Sequence, residues 1–166
     1  AGDMKLDGRV AIVTGAGRGI GRAIARAFAA EGAAVVLASR TLAELAAAAA
    51  EIRDAGGRVL AVPTDVTVEA AVEALVRDAL TRFSRVDILV CAAGGAAFGP
   101  VADAKTADWD AMLAVNLRGV MLACRAVLPA MIGQRAGTII NIASIAARRA
   151  IPGAAAYSAT KAGVVA

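Results

Sequence analysis

Five short segments rich in β-branched and aliphatic residues recur along the chain, separated by longer stretches of helix-forming composition. Their apolar character is nearly continuous, which is typical of strands buried on both faces of a parallel sheet. The stretches between them are long enough for crossover helices, so right-handed βαβ units with helices on both faces are expected. The predicted strands are Arg9–Thr14, Ala34–Ser39, Arg58–Pro63, Asp87–Ala92 and Thr138–Ala143.

Polar residues and glycines predict where the helices begin and end. Thr41 and Glu44 have the spacing of a capping box, in which each side chain accepts a backbone N–H of the other's residue. Gly56–Gly57 follows the same helix as a stop signal. Further caps are predicted at Thr67 and Thr106, and further stops at Gly32 and Gly133. No repeat or linker interrupts this order, so residues 1–166 are predicted to form a single domain.

Composition narrows the classes of function. Of 166 residues, 59% are hydrophobic but only 3% aromatic, so the core is built from small aliphatic side chains. The net charge of +4 permits anionic ligands. However, the arginines are scattered and few aromatics accompany them, so we expect no nucleic-acid partner. We find no unbroken apolar run of the ~20 residues that span a bilayer and no signal-peptide pattern. We therefore expect no membrane association and a cytoplasmic location.

The ionisable residues limit the chemistry further. The chain contains no histidine, which excludes Ser-His-Asp and Cys-His nucleophile systems and the common histidine metal sites. Cys91 and Cys124 are too far apart to form a CxxC pair, and no metal site is expected. Any proton chemistry must therefore use Tyr, Lys, Asp or Glu.

The segment TGAGRGIG (Thr14–Gly21) follows the first predicted strand and opens the first long helix. Gly15, Gly19 and Gly21 stand where a tight turn, the approach of a phosphate and close helix packing each require the absence of Cβ. The helix amino end offers free N–H donors to a pyrophosphate. No Gly-Lys-Ser/Thr ends the loop, which excludes a Walker-type site. An ordinary strand-to-helix turn has the same local pattern, but the βαβ context favours dinucleotide binding by a doubly wound, Rossmann-like α/β fold.

The end of the second predicted strand indicates which dinucleotide is bound. A cofactor with a free 2′-hydroxyl is usually held there by Asp or Glu. This chain has Ser39 and Arg40 instead, and Arg18 lies inside the glycine loop. Two guanidiniums and a hydroxyl, without a carboxylate, suit a 2′-phosphate. NADP(H) is therefore preferred. The less favoured interpretation is that both arginines are solvated loop residues, and on it NAD(H) stays possible.

A second constellation lies late in the chain. Tyr157 and Lys161 are one helical turn apart, which places them on one face of a helix. A free phenol titrates near 10, and a neighbouring ammonium stabilises its phenolate form. Ser144 follows the fifth predicted strand, where its hydroxyl can bind a substrate oxygen. Hydride transfer to a carbonyl leaves an alkoxide that needs such a proton donor and nearby hydrogen bonds.

These motifs, in this order, resemble the short-chain dehydrogenase/reductase family of Rossmann-fold oxidoreductases. The similarity rests on the glycine loop, on DV at Asp65–Val66, on AAG at Ala92–Gly94, on Asn116 within VNLRG, and on Ser144 followed by YSATK. It spans nearly the whole chain. The resemblance implies hydride transfer between a nicotinamide cofactor and a small ketone or secondary alcohol.

The resemblance also implies a role for each matched residue. Tyr157 is expected to be the general acid in carbonyl reduction and the general base in alcohol oxidation. Lys161 is expected to assist it and to bind the nicotinamide ribose, while Ser144 holds the substrate oxygen. Asn116 is expected to place a water that links Lys161 to solvent. The implied cofactor-binding set is Gly15, Arg18, Gly19, Ile20, Gly21, Ser39, Arg40, Asp65, Val66, Ala92, Ala93, Gly94, Tyr157 and Lys161.

The chain departs from the family pattern in two places. Cys91 and Ala92 stand where the family usually has two asparagines that help to tie neighbouring strands, so a weaker tie is expected here. Family members also continue beyond the position of Lys161 through another strand, a substrate lid and a final strand. We therefore expect a C-terminally truncated sequence that lacks the last part of the fold. The alternatives are the same chemistry with NAD(H), and a non-catalytic dinucleotide-binding fragment without the lid.

The expected partners also follow from the resemblance. Family members are commonly dimers or tetramers built through the helices that contain Asn116 and Tyr157, so a homodimer or homotetramer is expected. The apolar stretch Val120–Ile132 fits such an interface, and it fits a helix facing the core equally well. The carbonyl or alcohol substrate itself is not identified by the sequence.

Overall fold

The computed structural model describes residues 4–166. Within this range five parallel strands form one sheet in the order β3-β2-β1-β4-β5. The strand order reverses between β1 and β4, which is the topological switch point of a doubly wound fold. The strands are β1 (Val10–Thr14), β2 (Ala34–Ser39), β3 (Val59–Pro63), β4 (Ile88–Cys91) and β5 (Thr138–Asn141).

Helices follow each strand and cover both faces of the sheet. The α-helices of the described range are α1 (Gly19–Ala30), α2 (Leu42–Asp54), α3 (Glu69–Phe83), α4 (Thr106–Leu113), α5 (Gly119–Gln134) and α6 (Ala155–Val165). A π-helical turn at Ala114–Arg118 joins α4 to α5. Short 3₁₀ turns occur at Val101–Asp103 and Ile145–Ala147.

The alternation of side chains along the strands divides the core in two. Val10 and Ile12 of β1 belong to one cluster, which α3 and α5 complete with residues such as Leu75 and Val127. Ala11 and Val13 face the other way, into a cluster completed by α1 and α2. Because β1 lies in the middle of the sheet, both of its faces are buried. This explains its uninterrupted apolar sequence.

The structure confirms the predicted α/β class and the positions of the five strands, each within two residues of its predicted bounds. The inner strands β1, β2 and β4 are buried on both faces, as predicted. The outer strands β3 and β5 are partly exposed, so their apolar sequences overstate their burial. The assignment of residues 1–166 to a single domain stays a prediction.

Several predicted helix ends are wrong, and each has a local reason. Thr41 precedes α2, but its side chain forms no cap. Its N–H is instead 3.3 Å from Oγ of Ser39, so the capping box with Glu44 does not form. Thr67 is not a cap either, because its hydroxyl donates to Asp65 at 2.7 Å.

Of the other predicted helix ends, two are wrong and two are confirmed. Thr106 is the first residue of α4 rather than its cap, and Gly133 lies inside α5, which ends where Arg135 adopts a left-handed conformation. The stops at Gly32 and Gly56 are confirmed, since both glycines have positive φ directly after a helix.

The helical segment Thr106–Gln134 is long and apolar enough to cross a membrane by length and composition alone. Isolated polar residues interrupt this segment, so it contains no unbroken apolar run of that length. In the fold, one side of this segment faces the core and the other side is exposed. Leu122, Val127 and Met131 of α5 pack into the cluster beneath the sheet, whereas Met121 and Ile132 are exposed.

Asp87, just before β4, anchors the amino ends of the two central strands. Its buried carboxylate accepts hydrogen bonds from the N–H of Val10 at 2.9 Å, from Arg9 at 3.1 Å and from Arg85 at 2.6 and 2.7 Å. Burial disfavours the charged form, but the hydrogen bonds from Arg85, Val10 and Arg9 outweigh it, so the pKa of Asp87 is lowered.

We predict that Asp87→Ala lowers the free energy of unfolding by about 1–3 kcal/mol at neutral pH, because it leaves the buried Val10 N–H without an acceptor. The lowered pKa means that the carboxylate stabilises the fold above its unfolded pKa and that this stabilisation is lost as the pH falls below it. The difference between wild type and variant should therefore narrow below about pH 4. Urea unfolding at several pH values measures this.

The matched control is Asp78→Ala on the exposed face of α3, which should change the unfolding free energy by less than about 0.5 kcal/mol. Equal effects of the two substitutions, or a constant Asp87 effect across the acid range, would contradict the anchoring role.

Candidate active site

A cleft of about 410 Å³ opens at the carboxyl ends of β1, β2 and β4, beside the switch point. In open α/β sheets this is where ligands bind. Twelve of the fourteen residues predicted to bind a dinucleotide line this one cleft. They are Gly15, Arg18, Gly19, Ile20, Gly21, Ser39, Arg40, Asp65, Val66, Ala92, Ala93 and Gly94.

The floor of the cleft is a close approach between the glycine loop and the end of β4. Gly15 has φ +65°, and a Cβ built on it would lie 2.7 Å from the backbone of Ala93. Thr14 Oγ1 fixes the same approach by accepting hydrogen bonds from Ala92 N at 3.2 Å and Ala93 N at 3.3 Å. Thr14 thus ties the strands where Cys91 and Ala92 supply no amide side chain, a contact that the sequence analysis did not anticipate.

The first turn of α1 faces the cleft with its backbone donors uncapped. Arg18 precedes the helix in an extended conformation, and no side chain caps the first turn. A Cβ on Gly21 would overlap the carbonyl oxygen of Gly15, so glycine is needed for the helix to start this close to the turn. The free N–H groups and the helix dipole together favour an anion at this position.

The far end of the cleft carries charges of both signs. Arg18 and Arg40 line it from the loop and from the end of β2, as the sequence predicts. Glu44, in the first turn of α2, lines the same end. The statement that no carboxylate accompanies the two arginines is therefore wrong. The spacing to Thr41 predicted a capping role for Glu44, whereas its place in the cleft comes from the packing of α2 against Gly17.

Asp65 follows β3 and closes another side of the cleft. Its Oδ1 accepts from the N–H of Thr67 at 2.9 Å and from the hydroxyl of the same residue at 2.7 Å. The backbone hydrogen bond from Thr67 lowers the pKa of Asp65 against the effect of burial, and the charge of Arg40 adds to this. Asp65 therefore holds the turn after β3 in place as an anion.

Asn116 is fully buried within the π-helical turn and clamps three segments together. Its Oδ1 accepts from Gly95 N and its Nδ2 donates to Gly95 O, both at 2.8 Å. The same Nδ2 donates to Thr160 Oγ1 of α6 at 3.1 Å. The side chain thus joins the loop after β4 to the helix that carries Tyr157. Its predicted role in placing a water stays a prediction.

Tyr157 and Lys161 lie on one face of α6, as their spacing predicts. The Nζ atom of Lys161 is 5.9 Å from the centre of the Tyr157 ring and donates to Ile142 O, at the end of β5, at 2.7 Å. Lys161 is only 7% exposed, and burial lowers its pKa. The ring of Phe98 packs against Tyr157 with the ring centres 5.8 Å apart.

Gly94 connects the cleft to this pair of side chains. A Cβ built on Gly94 would lie 3.3 Å from Oδ1 of Asn116 and 3.8 Å from Nζ of Lys161. The Lys161 ammonium therefore borders the end of the cleft that Gly94 lines. An ammonium has three donors, and Ile142 O uses one of them, so two can face a ligand.

Ser144 lies just beyond β5, where the sequence places it. It precedes the 3₁₀ turn Ile145–Ala147, and its Oγ accepts from Ala146 N at 3.2 Å. The turn packs against α6. Because a hydroxyl keeps its own proton when it accepts, Ser144 retains a donor for another oxygen.

Comparison with known proteins agrees with this geometry. The family model for short chain dehydrogenase matches residues 9–166, and the chain belongs to this family. A 3-oxoacyl-[acyl-carrier-protein] reductase of Synechocystis sp. is 44% identical over 163 residues, covering 96% of this chain and 65% of the relative. The chain thus spans about two thirds of the length of that relative.

Solved structures are similar over the same region. A NAD⁺-bound xylitol dehydrogenase is 36% identical with a TM-score of 0.94, over 97% of this chain and 62% of that one. A metagenomic short-chain oxidoreductase in complex with NADP is 44% identical with a TM-score of 0.92, over 96% of this chain and 73% of that one. The Rossmann-like fold is therefore shared with these proteins.

We predict that Gly15→Ala destabilises the protein more than Gly56→Ala does. Both glycines have positive φ, which costs an alanine roughly 1–2 kcal/mol. A Cβ at Gly56 meets nothing within 4 Å, whereas a Cβ at Gly15 meets the Ala93 backbone. The difference between the two variants in chemical denaturation isolates the steric contact.

We expect this difference to exceed about 1 kcal/mol, as in other overpacked sites. Equal losses for the two variants would contradict the close approach of the glycine loop to β4.

Proposed function

We propose that this chain binds a nicotinamide dinucleotide in the cleft and transfers hydride between it and a ketone or secondary alcohol. The observation that carries the proposal is that the Gly94 end of the cleft borders the ammonium of Lys161, one helical turn from Tyr157. The proposed dinucleotide site and the proposed acid/base pair thus meet at one edge of the sheet. The bound cofactor would supply the hydride.

The residues of the cleft fit such a cofactor. The uncapped first turn of α1 and the glycine surface of the loop suit a pyrophosphate, and Arg18 and Arg40 suit a 2′-phosphate. The similar solved structures contain NAD⁺ in one case and NADP in the other. We propose NADP(H) as the preferred cofactor of this chain, because two arginines line the end of the cleft that follows β2.

Proton transfer is assigned to Tyr157. In reduction its phenol would donate the proton to the oxygen of the former carbonyl, and in oxidation its phenolate would remove the proton from the alcohol. Lys161, whose Nζ lies 5.9 Å from the centre of the Tyr157 ring, would assist this transfer in both directions. Ser144 would donate a hydrogen bond to the same substrate oxygen. A positioned acid of this kind typically contributes about 10²–10⁴-fold to the rate.

Self-association is proposed as well. α5 turns one apolar side into the core and leaves Met121, Leu128 and Ile132 exposed on the other. Leu113 of α4 is also exposed. Exposed apolar residues on neighbouring helices are typical of an interface, so these helices support the proposal of a homodimer or homotetramer.

We predict that NADPH binds about tenfold or more tightly than NADH, since one charge-assisted hydrogen bond contributes roughly 1.5–3 kcal/mol. Arg40→Ala should remove most of this difference and leave NADH affinity unchanged. The fluorescence of the bound reduced nicotinamide measures both affinities. Arg53→Ala, at the exposed end of α2, is the matched control. Equal affinities for the two cofactors in wild type would refute the preference for NADP(H).

We predict that Tyr157→Phe lowers carbonyl reduction by at least about 10²-fold, because it removes the proton donor and keeps the ring. NADPH affinity should stay within about twofold of wild type, since the phenol is not needed to hold the dinucleotide phosphates. A panel of small ketones with NADPH absorbance as the readout measures turnover, and a parallel titration measures binding. Retained turnover would rule out Tyr157 as the acid.

A further inference from the structure

The carboxylate of Glu44 lies against the glycine loop. A Cβ built on Gly17 would be 3.2 Å from Oε2 of Glu44 and 2.9 Å from Oγ of Ser39. Because Gly17 has no side chain, both polar groups can lie directly against the loop. Glu44 is partly buried there and lines the cleft together with Arg18 and Arg40.

The carboxylate of Glu44 takes part in none of the ion pairs among residues 4–166. The charge of Glu44 acts on Arg22. However, the guanidinium of Arg22 is already hydrogen-bonded to both oxygens of Glu51, at 2.5 and 3.2 Å. The N–H that a capping box would have offered to Glu44 donates to Ser39 instead. Glu44 therefore keeps its hydrogen-bonding capacity for a ligand in the cleft.

The position after β2 is where a dinucleotide-binding fold distinguishes a 2′-hydroxyl from a 2′-phosphate. A carboxylate accepts a hydrogen bond from a hydroxyl, whereas it repels a phosphate that carries up to two negative charges. Arg18 and Arg40 act in the opposite sense. The two kinds of side chain at this end of the cleft thus oppose each other in cofactor selection.

We propose that Glu44 is a specificity-determining residue that opposes the 2′-phosphate of NADP(H) and retains affinity for NAD(H). The proposal rests on the proposed function, since it requires a nicotinamide dinucleotide in the cleft. It adds a second, anionic determinant to the arginines. The cofactor preference of this chain then reflects the balance of Arg18 and Arg40 against Glu44, and removing the carboxylate shifts that balance toward NADP(H).

The test is the affinity of Glu44→Gln for NADPH and NADH, measured by nicotinamide fluorescence at low ionic strength. Removal of one repulsive charge near the 2′-phosphate is expected to tighten NADPH binding about three- to tenfold. NADH binding should stay the same or weaken, because an amide oxygen is a poorer acceptor than a carboxylate. The ratio of the two affinities should therefore rise at least about threefold, and this change should shrink at high salt.

Two further measurements locate the effect. The pair 2′-phospho-ADP-ribose and ADP-ribose should show the same change in affinity ratio, since these ligands lack the nicotinamide and probe only the adenosine end. Glu73→Gln on the exposed face of α3 removes the same charge away from the cleft and should leave the ratio unchanged. If thermal unfolding shows that the Glu44→Gln variant is not folded, Glu44→Ala repeats the test.

The outcomes separate the two proposals. Binding of both cofactors with an unchanged affinity ratio in Glu44→Gln and Glu44→Ala would overturn the role of Glu44 and leave the proposed function intact. An equal change in Glu73→Gln would also overturn it, because the effect would then belong to net charge. Failure of the wild-type chain to bind any of the four ligands would overturn the proposed function, and the role of Glu44 with it.

Discussion

The approach of the glycine loop to the end of β4 brings backbone against backbone, with no side chain between them. A Cβ on Gly15 would lie 2.7 Å from Ala93, and Thr14 Oγ1 accepts from the two N–H groups that follow Cys91. This contact sets the floor of the cleft and fixes the direction in which the chain leaves β4. Ala92, Ala93 and Gly94 line the cleft, and Gly15, which has no side chain, lies opposite them. The site therefore depends on a contact that only glycine permits.

The residues around Tyr157 and Lys161 are positioned from the same place. Beyond Gly94, both backbone groups of Gly95 are held by Asn116, which also reaches Thr160 on α6. Lys161 is held from the other direction by Ile142 O at the end of β5. Three segments distant in sequence are thus joined around one buried amide. Asn116 lies within the π-helical turn, and such turns are frequent at functional sites.

The sequence was sufficient to predict the strands, the glycine loop and the face shared by Tyr157 and Lys161, because each follows from local pattern and spacing. It was insufficient wherever the partner of a polar group is decided by tertiary structure. The N–H of Thr41 donates to Ser39 rather than to Glu44, and the hydroxyl of Thr67 donates to Asp65 rather than capping α3. The sequence did not predict that Glu44 lines the cleft, for the same reason. The position of its side chain depends on how α2 packs against Gly17, which no local spacing encodes.

Hydrogen–deuterium exchange of the wild-type chain with and without NADPH examines the cleft as a whole. If the cleft holds the dinucleotide, exchange should slow in four separate segments, at residues 15–21, 39–40, 65–66 and 92–95, while the amino ends of β1 and β4 near Asp87 stay unchanged. These segments are distant in sequence and meet in this cleft. Protection confined to another surface, such as the pocket formed by Ala97, Trp109 and Met112, or no protection at saturating NADPH, would contradict a dinucleotide site in this cleft.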